Sequence, residues 1–355
     1  MVSMPKTSCS GRDERLDSLR TFCNVILVVI HAYPFMYGNG RDWEFWFCNF
    51  VSMKLCIMIL PTLFLISGYL FFMNLVDASS YGTKIKSRIK RLVVPYVAWN
   101  CLFALSYYVI GRFSPQAAGR LASFEGNNIL GIPFSYVLGL SGTPVDGPLW
   151  YLRVLFVFCV LSPLLLPLLK HVKPIMLCTL MFVLVSVFGG SSPRYYPFYG
   201  FSAFAIGGVF ACRKVSPVDF FLERRNVFVA ISICSVVAAF MAQFWGYLQA
   251  NEPADIFKFL CIPLFLSVAD KINLLVKTRF MTMHVVPASF MIYCSHSLFN
   301  SVAIHFAGRV LPQFHGKMML ISCFAALFDI MTAVLLWKLL KRICPRLLDV
   351  LDGRL

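Results

Sequence analysis

The sequence predicts an all-α polytopic membrane protein of about ten transmembrane helices, with both termini cytoplasmic. Three observations carry that prediction. Of 355 residues, 59% are hydrophobic and only 14% charged, whereas soluble domains carry about 25% charged residues. The apolar residues stand in long unbroken runs, which excludes the apolar–polar alternation of a transmembrane β-barrel. The basic residues are distributed unevenly. With the N-terminus inside, 23 Lys and Arg fall on inner segments and seven on outer ones, a strong positive-inside bias that also calls for an even number of spans.

Taken in order, the predicted spans are 21–37, 51–75, 92–111, 148–169, 174–189, 199–212, 227–248, 257–269, 288–311 and 318–340. The first follows a charged lead and has no small-residue cleavage site after it, so it reads as a retained helix and not a signal peptide. Pro61, Pro163, Pro167 and Pro263 lie within spans and predict kinks. The fifth, sixth and eighth runs are short, which fits short helices or re-entrant segments. The Gly-, Ser- and Pro-rich stretch 112–147 reads as an outer loop, too short for a domain of its own. The acidic segment 251–255 also falls outside. About fifteen residues follow the last span, so one membrane domain over 1–355, with no appended soluble domain, is the expected organisation.

The net charge of +16 belongs to cytoplasmic loops facing membrane lipid and not to nucleic acid. The 13 cysteines include no CxxC pair and no zinc spacing, so neither a metal site nor a disulfide framework is expected. No Walker, GxGxxG, HExxH or GxSxG motif is present, which weakens NTPase, dinucleotide and zinc-protease readings.

Ionisable groups at membrane depth are costly, and each is a site candidate. Arg20 stands at the inner edge of the first span and His31 well inside it. Eleven helical steps are three turns plus about 20°, so the two side chains share one face about 16 Å apart. The plain alternative is an arginine that snorkels and a histidine that packs between helices. Lys54 and Arg153 lie near the outer ends of the second and fourth spans and can snorkel outward. Trp150 and Tyr151 suit an interfacial aromatic belt. His296 lies mid-span in the ninth helix, where packing is the alternative to a substrate-binding role.

Several blocks, in order, resemble the acyltransferase-3 family of membrane acyltransferases. Arg15-Leu16-Asp17-Ser18-Leu19-Arg20, then ten residues and His31, is similar to the family's opening Arg-x10-His signature. Phe64-Leu65-Ile66-Ser67-Gly68-Tyr69-Leu70 resembles its F-x-x-S-G-[FY] block. Lys86-Ser87-Arg88-Ile89-Lys90-Arg91-Leu92-Val93-Val94-Pro95-Tyr96 resembles its basic loop and R-[IL]-x-P-Y block. Pro148-Leu149-Trp150-Tyr151-Leu152 and Tyr293-Cys294-Ser295-His296 resemble P-x-W-[FY]-L and Y-x-x-H. The chain departs at Thr21, where the family's glycine is usual, and at Arg88-Ile89-Lys90, where an Arg-x-Arg pair is often found.

The resemblance implies transfer of an acyl group, by default acetyl from acetyl-CoA, to a hydroxyl of a surface or lipid-linked glycan, in a bacterial inner membrane. It implies that Arg15, Arg20, Lys86, Arg88, Lys90 and Arg91 meet the CoA phosphates, since charge-assisted contacts to phosphate are strong. His31, with Arg20, carries the chemistry: a neutral imidazole takes the hydroxyl proton as general base, or is itself transiently acylated. Lys54, Trp150, Arg153 and His296 are the acceptor-side candidates. The competing class is a polysaccharide or small-molecule exporter using the same intramembrane basic groups. It predicts internal repeats, which the sequence does not show, and no consumption of acyl donor. A weaker third reading is a scaffold whose basic loops bind anionic lipid. Oligomeric state is not legible.

Overall fold

A computed structural model describes residues 13–32, 43–55, 58–73, 75, 80–112, 144–173, 176–177, 180, 183, 196–249 and 262–355, and among them every regular element is helical. The helices are α1 (Glu14–His31), α2 (Trp43–Asn49), α3 (Ile59–Phe72), α4 (Tyr81–Arg88), α5 (Val94–Gly111), α6 (Trp150–His171), α7 (Tyr196–Cys212), α8 (Pro217–Glu223), α9 (Arg225–Gln249), α10 (Ile262–Ser267), α11 (Ala269–Val276), α12 (Val286–Val310), α13 (Lys317–Ile343) and α14 (Pro345–Asp352). Among the described residues, four helical stretches are long and apolar enough to cross a membrane: Tyr81–Val109, Gly147–His171, Arg225–Gly246 and Lys317–Ile343. Ile59–Phe72 and Phe198–Cys212 are shorter apolar helices. The polar groups in α1 and α12 are the ones the site uses.

The predicted boundaries shift for local reasons. The first span begins earlier, at Glu14. The second divides into a π-helical turn Phe50–Leu55 and α3. The third extends back to Tyr81 through a π-helical turn, Ile89–Val93, and a third such turn, Met281–Val285, precedes α12. These last two turns run into a proline, Pro95 and Pro287. A proline inside a helix lacks its N–H and its ring collides with the carbonyl four residues back; a π turn widens the backbone there. Most of 112–147 and 174–189, and residues 33–42 and 250–261, lie outside the described residues.

The chain divides into two compact units, interleaved in sequence: Met1–Cys23, Met58–Val76 and Leu165–Val286; and Asn24–Ile57, Asp77–Leu164 and Pro287–Leu355. In the first, α3 and α7 lie backbone to backbone. A Cβ on Gly68 would stand 2.1 Å from the Phe204 carbonyl oxygen, and one on Gly207 2.1 Å from that of Leu65. Small residues allow such approach between apolar helices. Ser18 Oγ donates to Asn273 Oδ1 at 2.8 Å. Arg225 donates to the Ser267 carbonyl at 2.9 Å and pairs with Asp270.

In the second unit, α12 and α13 form a tight antiparallel hairpin over residues 311–316. The Glu44 carboxylate, from α2, accepts the free N–H groups of Gly316 (3.1 Å), Met318 (2.8 Å) and Met319 (3.3 Å). These donors have no intrahelical partner, and a carboxylate at a helix N-terminus also meets its dipole favourably. Lys317 Nζ donates to the last carbonyls of α12, Gly308 and Leu311. The short α14 folds back: Trp99 Nε1 donates to the Leu351 carbonyl at 3.2 Å, Trp337 Nε1 to Asp352 Oδ2 at 3.0 Å, and Arg354 to the Pro287 carbonyl at 3.0 Å.

Candidate active site

The site grows from the place where α1 stops. His31 is its last residue, and the Ala32 N–H closes the last turn onto the Val28 (3.0 Å) and Val29 (3.3 Å) carbonyls. Side chains of the second unit add further donors. Asn300 Nδ2, on α12, donates to the Val28 carbonyl at 3.1 Å, and Ser52 Oγ donates to that of Val29 at 3.4 Å. A helix end deep in an apolar protein is thereby capped, and His31 is held at its tip.

One turn before Asn300 on the same face of α12 stands His296, 1% exposed. Its ring centroid lies 4.8 Å from that of His31, the planes tilted by 46°. His296 Nδ1 stands 2.5 Å from the Tyr293 carbonyl. A carbonyl only accepts, so Nδ1 carries the proton and Nε2 of a neutral ring is the open lone pair. Nε2 has no hydrogen-bond partner among the described residues. His31 is the exposed member of the pair and His296 the buried one.

One further buried polar group was missed by the sequence reading. Asp329, in the middle of α13, is 0% exposed, and neither carboxylate oxygen has a partner among the described residues. Ala325, one turn earlier, packs with Ile321 against Ala32, Ala303, Ile304 and Ala307. The signal was available, since a carboxylate within an apolar span met the same criterion that singled out His31.

A second cluster adjoins on α12. Ser297 Oγ donates to Asp146 Oδ1 at 2.9 Å, and Tyr293 Oη to the Pro148 carbonyl at 2.8 Å. The turn Gly147–Leu149 that opens α6 is thus fastened to the helix carrying His296. Asp146 was also missed; it sat outside the span as drawn from hydropathy.

The other expected residues are placed as follows. Trp150 and Arg153 lie half-buried at the start of α6, and the Arg153 charge acts on the Tyr96 phenol. Lys86, Lys90 and Arg91 are exposed on α4 and the π turn after it. Arg88, beside them, is half-buried and its charge acts on Cys159. All belong to the same unit as His31 and His296. Arg15 and Arg20 lie on the part of α1 that belongs to the other unit. Arg15 is held by Asp13 (2.9 Å) and Asp219 (2.7 Å), and Arg20 is exposed, 4.0 Å from Asp17. The Lys54 side chain lies outside the described residues.

Comparison with known proteins decides the class. A family model described as an acyltransferase domain matches residues 13–338. The chain belongs to the acyltransferase-3 family. Its apolar helices suit an integral membrane protein. The chain is 27% identical over 162 residues to the succinoglycan biosynthesis protein ExoH of Rhizobium meliloti (strain 1021), a match covering 44% of this chain and 42% of that protein. The alignment thus spans less than half of the curated relative. No solved structure matches the chain.

Proposed function

We propose that this enzyme transfers an acyl group, acetyl in the first instance, from acyl-CoA to a hydroxyl of a cell-surface or lipid-linked polysaccharide at a bacterial inner membrane, with His31 as the base. The observation that carries the reading is the accessible His31 ring, fixed at the capped end of α1 and backed by His296 at 4.8 Å. The relative named for succinoglycan biosynthesis supports a polysaccharide acceptor.

The reaction balances through the histidine. The acceptor hydroxyl gives its proton to neutral His31 as its oxygen attacks the thioester carbonyl. A C–O bond forms, the tetrahedral centre collapses, and the C–S bond breaks. The departing CoA thiolate takes the proton back from the imidazolium. His296 Nε2, an open acceptor, steadies a proton carried by His31. Lys86, Arg88, Lys90 and Arg91 hold the CoA phosphates on the cytoplasmic side. The topology is the ten-span arrangement with both termini inside.

The test is release of free CoA thiol by purified protein in liposomes. Acetyl-CoA and succinyl-CoA are supplied in turn, with base-treated succinoglycan oligosaccharides and a bacterial surface-glycan extract as acceptors. Thiol release should require acceptor, and His31→Ala should lower it by about 10²-fold or more while abundance is unchanged. Full activity in that variant would refute the mechanism.

A further inference from the structure

Beyond the histidine pair, the same unit holds two buried polar atoms whose hydrogen-bonding capacity is unused. Asp146 is 1% exposed and Tyr96 4%. Asp146 Oδ2 and Tyr96 Oη have no hydrogen-bond partner among the described residues. Leaving such an atom buried and unpaired costs about 1–3 kcal/mol, and groups of that kind in a native protein call for an explanation.

The surroundings are organised to keep these atoms in place. Ser297 occupies the other Asp146 oxygen, Oδ1, at 2.9 Å. The Asp146 backbone N–H donates to Asn100 Oδ1 at 3.0 Å, and Asn100 Nδ2 donates to the Tyr96 carbonyl at 2.8 Å. Asn100 thus ties the Asp146 turn to the stretch of α5 that carries Tyr96. The Tyr96 phenol lies within the electrostatic reach of both Arg153 and Asp146. Every support is polar and satisfied; only the two inward atoms are left over.

We propose that Asp146 and Tyr96 form a hydroxyl-binding subsite that receives the sugar acceptor. A sugar hydroxyl donates its proton to a carboxylate oxygen and accepts from a phenol, the pair of functions left open here. A saccharide presents several such hydroxyls on one rigid ring, and Arg153 adds a donor at the same place. Ser297 is the neighbour of His296 in sequence, so a sugar ring held at Asp146 is tethered beside the histidine pair. The identity of the ligand rests on the polysaccharide acyl-transfer reading; the existence of the subsite does not.

Two substitutions separate binding from folding. Tyr96→Phe removes only an unpartnered oxygen and should leave the melting temperature in detergent unchanged or raised. Asp146→Asn keeps the bond from Ser297 and turns the free acceptor into a donor. Without acyl donor present, succinoglycan oligosaccharides should raise the melting temperature of wild type and not of either variant. In thiol release, each variant should need about 3–10-fold more oligosaccharide for half-maximal rate, at an unchanged KM for acyl-CoA. Equal oligosaccharide dependence in variant and wild type would overturn the subsite, as would a rise confined to the KM for acyl-CoA or a wild type whose melting the oligosaccharides do not shift. If the melting shift depends on both residues but no thiol is released, the sugar subsite stands and the acyl-transfer reading falls.

Discussion

At the scale of residues, the site consists of polar groups that an apolar environment would not tolerate without a use. His31 and His296 are supported from outside their own helices, by the α1 cap from Asn300 and the Tyr293 carbonyl. Asp329 has no such support, which yields a sharp expectation. Replacing a buried, unpaired carboxyl with Asn or Leu removes a desolvation cost. Asp329→Leu should therefore melt no lower than wild type, yet lose thiol release by an order of magnitude or more. A lower melting temperature with activity kept would make Asp329 a structural residue. Asp270 behaves differently, because it has a partner. Burial opposes its charge most strongly of any single influence, but the hydrogen bond and charge of Arg225 together with the backbone N–H groups of Asp270 and Lys271 outweigh it and hold its carboxyl below the ordinary range. A depressed acid stabilises the fold above the unfolded value, about pH 4, and that contribution is lost as pH falls through the folded value. The pair is partly exposed, so about 0.2–1 kcal/mol is the scale. Asp270→Asn should lower the melting temperature slightly at pH 7 and by less as the pH falls below about 4.

At the scale of elements, the blocks of the family signature acquire physical reasons. The Ser-Gly block of α3 is a packing device: Gly68 is where the backbone of α3 meets the Phe204 carbonyl of α7. Gly68→Ala should destabilise the first unit by about 1–3 kcal/mol or more, since a backbone atom cannot swing aside as a side chain can. An unchanged melting temperature and yield would refute the close approach. The Pro-Tyr block of α5 joins a π turn, which relieves the Pro95 ring, to Tyr96, which faces the acceptor subsite. The Trp150 block begins α6, where the turn is fastened to α12 through Pro148 and Tyr293. Of these, the helices were legible from sequence, because hydropathy acts within one or two turns; the expected kinks were at Pro61, Pro163, Pro167 and Pro263, not at Pro95 and Pro287. The π turns and the split of the second predicted span were not legible, because they answer to neighbouring helices.

At the scale of the whole molecule, the distribution of Lys and Arg predicts the orientation of the chain. With 23 basic residues on one set of segments and seven on the other, reporters fused after Leu355 and at the N-terminus should both remain cytoplasmic. Cysteines introduced at 251–255 should label from outside in intact cells. A C-terminal reporter active only outside would overturn the even number of spans.

What the sequence by itself determined is the class of protein. Apolar runs, basic asymmetry and the Arg20–His31 spacing are local or additive properties, and they survive without any knowledge of packing. What only the tertiary structure decided is which polar groups meet. His31 finds His296 across 265 residues of chain, and Asp146 finds Ser297 across 151. Hydropathy is blind to such pairings, because a buried polar residue reads alike whether or not another helix brings it a partner. Its free energy depends on that partner, and the partner is fixed only when the helices pack.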